Sequence, residues 1–309
     1  MSKAKSRVGS SKQLISSGTE GRLYQVDLGT SSVFDLGQMP HFVSARLAEA
    51  RTLQAAAIFQ RLQMYGIDTH FQKWVSLTGL LVSESQVGNK PLLSGRADHT
   101  MIGLEILFRW RISEKFLERI KAGEIDEADI QLAPFQRLQP GALLGVPYIE
   151  ASTKWEKVDR YLQPAEAAKL TGLDTKMIEA LFAWATGIAR GLGSLFDDIG
   201  FDLVDGKLEV AYDARSEGFV LIDAITLDEL GVIRNGKHYG KNLLRDYYRT
   251  EEREWYEQLQ QAQRDHSADP SKWPTYPRLP KNIREMHVRR YVRVAELLDA
   301  HVAELIRTQ

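Results

Sequence analysis

Residues 174–200 constrain the fold most strongly. Met177, Leu181, Trp184, Ile188, Leu192 and Leu195 recur at spacings of three and four, which places them along one stripe of an α-helix. Asp174 stands where a capping carboxylate would accept the first free backbone N–H groups, and Gly200 where the helix would end. A helix of that length needs a broad apolar surface to cover its stripe. Two alternating segments that follow, 207–212 and 219–223, read as strands able to supply one. Helical periods also run over 43–65, with Leu47, Leu53, Ala57, Ile58 and Leu62 on one face before Gly66, and over 283–306, with Met286, Val294, Leu297, Leu298 and Leu305. On the last helix Arg284, Arg289, Arg290 and Arg293 read as a solvated face.

Further strands are predicted at 22–26, 31–34, 80–83 and 101–108, with a turn at 95–98. Residues 114–132 carry charged helical spacing that 139–147 interrupts. Residues 264–281, with four of the ten prolines, read as a surface crossing. Helices and strands are segregated, which predicts the α+β class in two lobes. The expected layout is a disordered Ser/Lys/Gly-rich tail at 1–13, a smaller antiparallel β-rich lobe at 14–108, and a larger mixed lobe at 109–309.

Composition excludes several chemistries. Forty basic residues against forty-one acidic ones leave a formal charge of −1, so no global basic field favours nucleic acid. Cysteine is absent, which removes disulfides, thiolate nucleophiles and Cys-ligated metals. The seven histidines (41, 70, 99, 238, 266, 287 and 301) lack His-x-x-x-His spacing. No apolar run approaches the ~20 residues of a membrane span, and the basic N-terminus lacks a signal-peptide core. The expectation is a cytoplasmic protein acting on small molecules, with neither nucleic acid nor membrane as partner.

The segment 205–212 (DGKLEVAY) is the most informative for chemistry. On a strand Asp205, Lys207 and Glu209 share one face, while Leu208, Val210 and Tyr212 share the core side. The next strand ends in Asp223. Two carboxylates on neighbouring strands with a lysine between them suit Mg²⁺ and a polyphosphate. Spacing alone fits an exposed charged hairpin as well. Gly191-Leu192-Gly193-Ser194 lies inside the helical period, and the 236–242 segment (GKHYGKN) lacks phosphate-loop spacing, so neither is a nucleotide motif.

Several ordered segments between about residue 14 and residue 260 carry a resemblance. They are 32–40 (SVFDLGQMP), 65–70 (YGIDTH), 150–154 (EASTK) with 159–162 (DRYL), 205–209 (DGKLE), 222–223 with 226–229 (ID…TLDE), and 247–249 with 254–256 (YYR…EWY). Together they resemble the phosphoribosylaminoimidazole-succinocarboxamide synthase (SAICAR synthetase) family, closest to its archaeal-type branch. The resemblance implies a two-lobed α+β fold related to inositol-phosphate kinases, and self-association. It also implies an ATP·Mg²⁺-dependent ligase that joins aspartate's amine to a carboxylate through an acyl phosphate.

By the same resemblance Glu209 and Asp223 fall on the metal acids. Lys207 falls on the lysine near the phosphates, preceded by the acid Asp205. Asp35 and Lys154 fall on active-site positions around the substrates, Asp228 on the acid of the next loop, Arg249 on the tail arginine, and Glu105 and Arg109 on the strand into the substrate loop. The family's nucleotide loop aligns with Gly18-Thr19-Glu20-Gly21-Arg22, where two cationic positions become Thr19 and Gly21. The substrate loop keeps Arg109 but loses an Asn, now Trp110, and a Gly-Ser pair; a family arginine is replaced by Gly231. Each lost charge-assisted hydrogen bond to a ribose phosphate is worth ~1.5–3 kcal/mol. A diverged ligase with a changed acceptor is therefore expected. The alternatives are an ordinary purine-pathway enzyme, with Arg111 or Lys115 compensating, a kinase-like phosphotransferase, and a non-catalytic nucleotide-binding protein.

Overall fold

The computed structural model describes residues 6–87, 99–156, 160–267 and 269–308. Its first sheet contains β1 (Ser6–Val8), β2 (Lys12–Ser16), β3 (Arg22–Asp27), β4 (Phe71–Ser76) and β5 (Gly79–Ser83), in the order β1-β2-β3-β5-β4. Between β3 and β4 runs α1 (Ala45–Met64), capped by the Ser44 hydroxyl. The second sheet is built on β6 (Thr100–Arg111), β7 (Leu143–Thr153), β8 (Tyr161–Leu162), β9 (Asp202–Asp213), β10 (Gly218–Ile222), β11 (Leu230–Arg234) and β12 (Lys237–Tyr239). Its order is β12-β11-β9-β6-β7-β8, with β10 also paired to β9. All these strand pairs run antiparallel, which confirms the α+β class. Helices α2 (Glu114–Lys121), α3 (Pro164–Thr171), α4 (Thr175–Asp198), α5 (Lys241–Thr250), α6 (Arg253–Asp265) and α7 (Lys281–Thr308) complete the chain.

The helical stripe at 174–200 is α4, and the Asp174 carboxylate accepts from the Met177 N–H at 2.8 Å. Leu181, Ile188, Leu192 and Leu195 are fully buried in the main core with Ile102, Leu104, Ile106 and Phe108 of β6. Those β6 residues alternate with Glu105, Leu107 and Arg109, which therefore point away from the core. One buried cation ties the two sheets together. Arg51 of α1 donates to Asp27 of β3 at 2.6 Å and to Asp228, in the loop before β11, at 2.9 Å.

Several expectations need correction. Residues 6–13 are not a disordered tail: β1 pairs with β2, and Lys12 is anchored by ion pairs. The lobe boundary at 108 falls inside β6, which pairs with β7 and β9 in the larger sheet. Residues 31–34 form no strand. Their backbone turns left-handed at Phe34 and Asp35 (φ 56° and 59°), and the Tyr276 hydroxyl accepts from the Val33 N–H at 2.9 Å. The helix at 114–132 ends at Lys121, before Gly123 at φ 74°. The interrupting stretch 139–147 contains the start of β7. Residues 264–281 are more than a surface crossing, since Tyr276 and Leu279 pack against the core. The turn at 95–98 lies outside the described residues. Among those described, no helix is long and apolar enough to cross a membrane.

His287 of α7 gives the fold a pH dependence. It is 1% exposed, lies between the rings of Phe42 and Tyr291, and neither of its ring nitrogens has a hydrogen-bond partner among the described residues. Burial pushes its imidazole down to about 3. The unfolded chain therefore binds a proton that the folded chain refuses between about pH 6.5 and that value, and stability is lost as pH falls through this window. This group's contribution should fall by ~1.4 kcal/mol per pH unit there. Urea unfolding at pH 7 and pH 5 should show a smaller pH difference in His287→Phe than in wild type. Equal differences would assign the acid sensitivity elsewhere.

Candidate functional site

Strand pairing assembles the charged face. The β6–β9 register sets Glu105 opposite Glu209, Leu107 opposite Lys207, and Arg109 opposite Asp205. Lys207 donates to Glu105 at 2.9 Å. Lys154, just past β7, lies 2.5 Å from Glu209 and 3.6 Å from Glu105. Burial and then the charge of Asp223 raise Glu209 above the ordinary carboxylate range, while Lys154 opposes both.

Asp223 follows the end of β10, where Ile222 is paired with Glu209, and its own backbone is left-handed at φ 60°. Such a conformation is costly away from glycine and is typical of a side chain aimed for use. The Asp223 carboxylate meets Lys12, which also reaches Glu229, both at 3.0 Å. Burial alone would lower Lys12, but those two carboxylates outweigh it and hold the ammonium charged. In return Lys12 holds Asp223 below its usual value against the opposing effect of burial.

Two cavities open onto this face. The first, ≈ 470 Å³, is lined by apolar Leu14, Leu23 and Val82 and by polar Lys12, His70 and Asp223. The second, ≈ 420 Å³, is lined by Asp35, Glu105, Arg109, Asp205 and Arg245 among others. Lys207, Glu229 and Lys241 line both, so the cavities adjoin at a charged wall.

The structure thus gathers Asp35, Glu105, Arg109, Lys154, Asp205, Lys207, Glu209 and Asp223 into one region. Other expected site residues need correction. Gly18, Thr19 and Arg22 sit at the exposed tip of the β2–β3 hairpin and line neither cavity. The β2–β3 register puts Lys12 at the opposite end of that hairpin, so Gly9, Ser10, Ser11 and Lys12 line the first cavity instead. Arg249 is turned toward Asp246 and Tyr256; Arg245, one helical turn earlier, faces the second cavity. Asp228 lines the second cavity, as expected, but its side chain is 0% exposed and held by Arg51, the Tyr291 hydroxyl and Lys241, so it acts there by positioning Lys241. The Trp110 indole donates to the Ala189 carbonyl of α4 and packs against Gly193. Arg111 pairs with Asp202 and, like Lys115, lines neither cavity.

Sequence reasoning missed Lys12, Lys241 and Arg245, and saw His70 and Glu229 only as parts of motifs. Lys12 had a local signal, a glycine and two hydroxyls just before a lysine, in a stretch whose composition reads as disorder. Glu150 was seen only as part of a motif; it holds Arg109 at 2.7 Å and Arg119 at 2.8 Å. Gly231 has a steric reason to be glycine. The Asp205 carboxylate occupies the space a side chain there would fill, and the Gly231 N–H bonds to it.

Among the described residues no three His, Asp or Glu side chains form a group able to hold a metal by themselves. Glu209 and Asp223 offer two carboxylates from neighbouring strands, each neutralised by a lysine. That donor set fits Mg²⁺ arriving with phosphate, since this ion takes one or two carboxylates and fills its octahedron with phosphate oxygens and water.

Known proteins agree with this architecture. The family model for SAICAR synthetase matches residues 9–262. A putative phosphoribosylaminoimidazole-succinocarboxamide synthase of Archaeoglobus fulgidus is 31% identical over 251 residues, covering 74% of each chain. The corresponding synthase of Thermoplasma acidophilum is 25% identical over 76% of this chain and 81% of its own. Among solved structures, the Saccharomyces cerevisiae SAICAR synthase complexed with SAICAR superposes with a TM-score of 0.65 at 16% identity, covering 96% of this chain and 95% of that one. A type-2 SAICAR synthetase in complex with ADP gives 0.61 at 20% identity, covering 78% and 90%. On the extent of the family match and the shared fold, this chain belongs to the SAICAR synthetase family of ligases.

Proposed function

We propose that this protein is an ATP·Mg²⁺-dependent ligase that joins an amine, aspartate or a close analogue, to a carboxylate through an acyl phosphate, and that its acceptor differs from the purine-pathway ribotide. The adjoining cavities carry the proposal. The first suits a nucleotide, with apolar Leu14, Leu23 and Val82 for a base and Lys12 and Lys207 for phosphates. The solved relative bound to ADP supports a nucleotide in this fold. The second cavity suits the acceptor and the amine, and the shared wall of Lys207, Glu229 and Lys241 is where a phosphoryl group would pass.

Glu209 and Asp223 would hold Mg²⁺, which when bound offsets phosphate charge. Lys207 would stabilise the charge that develops as the terminal phosphorus–oxygen bond of ATP breaks and the acceptor carboxylate oxygen bonds to phosphorus. The amine nitrogen then attacks the acyl carbon, the carbon–oxygen bond to phosphate breaks, and inorganic phosphate departs. Asp35 faces this cavity and has no hydrogen-bond or ion-pair partner among the described residues, which fits it to take the amine's proton.

The acceptor side supports a change of substrate. Gly231 leaves no arginine there, the Ser113 hydroxyl is engaged in capping α2, and Arg111 and Lys115 are elsewhere. A second reading, the ordinary purine-pathway enzyme, draws support from Arg109 and Arg245, which both face the second cavity.

Calorimetry should show weaker Mg·ATP binding by Asp223→Asn than by wild type, and equal affinities would reject the metal assignment. Lys207→Met should lower kcat far more than it weakens ATP binding; lost binding with unchanged turnover would contradict that role. ADP release with aspartate and the purine-pathway ribotide should stay well below a kcat/KM of ~10⁴ M⁻¹s⁻¹, a value ordinary for enzymes on their own substrates. Turnover above that level would establish the second reading.

A further inference from the structure

A third cavity, ≈ 460 Å³, shares no lining residue with the other two. Its apolar lining comes from Met39, Phe42, Tyr248, Tyr276 and Leu279, and its charge from Arg278 and Arg284. Among the described residues no carboxylate lines it. Neither arginine is neutralised there. Arg278 has no hydrogen-bond or ion-pair partner among the described residues, and the Arg284 guanidinium donates only to the His41 carbonyl, at 3.3 Å. Guanidinium groups free of acids present their fork to a carboxylate or a phosphate. The aromatic and aliphatic lining suits a flat apolar ring, and a cavity of this size holds a ligand larger than a lone inorganic anion.

This cavity backs onto the loop that carries Asp35. Residues 39–42 line it, while residues 32–35 of the same loop line the second cavity. The loop is left-handed at Phe34, Asp35 and His41 (φ 56°, 59° and 61°). Residues other than glycine hold such angles only where their surroundings oblige them to. Tyr276 supplies the chief restraint. Its hydroxyl accepts from the Val33 N–H at 2.9 Å and donates to the Val33 carbonyl, with the Gly37 carbonyl 3.2 Å away. Gln263 donates to the Phe34 carbonyl at 2.9 Å, and the Met39 N–H closes the loop on the Ser31 carbonyl at 2.8 Å. Tyr276 lines the third cavity, yet its hydroxyl stands in the fields of Asp35 and Arg245 on the wall of the second.

We propose that the third cavity is a regulatory site for a small bicyclic aromatic anion, whose carboxylate or phosphate is held by Arg278 and Arg284, and that its occupation stabilises the loop presenting Asp35 to the second cavity. A ligand that binds residues 39–42 and Tyr276 as they stand favours that arrangement over any other. Tyr276 passes the preference to Val33 through its hydroxyl, two residues from Asp35. The coupling is reciprocal, so a molecule that fixes Asp35 from the second cavity tightens the third.

Naphthyl phosphate and naphthoate carry the two anionic heads on one ring system, and naphthol and inorganic phosphate supply ring and head alone. Calorimetry is run on the full chain with Mg·ADP in excess, to compete at the first cavity. At least one of the two anions should bind about tenfold or more tighter than naphthol or inorganic phosphate, the scale of one charge-assisted hydrogen bond. The tighter of the two identifies the head. Replacing both arginines, Arg278→Ala with Arg284→Ala, should abolish that advantage; the first is exposed and the second makes one backbone contact, so the fold does not rest on them. Hydrogen exchange should slow in a peptide covering 31–37 when the anion is bound, although none of those residues lines the cavity. In Tyr276→Phe the anion should still bind and that slowing should vanish. Naphthol binding as tightly as the anions, or undiminished anion binding in the double arginine variant, would overturn the site. Binding without slower exchange in 31–37, or slowing that survives in Tyr276→Phe, would overturn the coupling. Neither readout involves catalysis, so failure here is distinct from failure of the ligase reading.

Discussion

Arg51 carries a charge at 1% side-chain exposure, and the arrangement of the cavities depends on it. Its guanidinium holds Asp27, at the end of β3 in the first sheet, and Asp228, in the loop that leads into β11 of the second. Asp228 in turn fixes Lys241 at the mouth of both cavities and accepts from Tyr291 of α7. A buried carboxylate without such partners would protonate or move; these partners hold Asp228 far below the ordinary range despite complete burial. Removing one member of a buried network commonly costs about 3–5 kcal/mol, because the remaining charge is left uncompensated. The network therefore fixes how the first sheet stands over the second, and with that the wall the cavities share.

On that frame the reactive side chains follow from strand periodicity. Even-numbered residues of β6 fill the core from Ile102 to Phe108, which obliges Glu105, Leu107 and Arg109 to face the other way. The same alternation in β9 turns Asp205, Lys207 and Glu209 outward, and the register of the two strands brings these rows together. Lys154 and Lys207 then lie against the facing acids Glu105 and Glu209, while Asp205 takes the Gly231 N–H opposite Arg109.

This division explains what could be read from the chain in advance. The helix α4, its Asp174 cap, and the outward row on β9 are local patterns of period 3.6 and 2, and all are found where the sequence puts them. The acid at Asp223 was legible for the same reason, as the residue ending an apolar run. Lys12, Lys241 and Arg245 were not, and for Lys12 the reason is that what makes it part of the wall is a neighbour distant in sequence. Lys12 and Asp223 are separated by 211 positions, and no periodicity spans such a distance. Arg245 and Arg249 lie on one helix a turn apart, and only the packing of α5 decides which of them faces the cavity. Gly18 and Thr19 read as part of a nucleotide loop, and the hairpin register carries that turn to the exposed end, outside the lining of both cavities.

Relocating that loop changes the meaning of the departures from the family pattern. Had the nucleotide site depended on Thr19 and Gly21, the loss of both cations would have indicated decay of the whole centre. On the proposed reading the first cavity presents Lys12 beside Gly9, Ser10 and Ser11, and the acids at 209 and 223 keep their ion pairs. On the proposed reading the departure that lines the acceptor cavity is Gly231, while Arg111 and Lys115 of the loop after Arg109 line neither cavity. Loss of function by drift has no reason to stop at a boundary between two cavities, since nothing would select for one after the other had failed. The proposed change of acceptor would have that reason: phosphoryl transfer would be kept, while the groups that held the old substrate would become free to change.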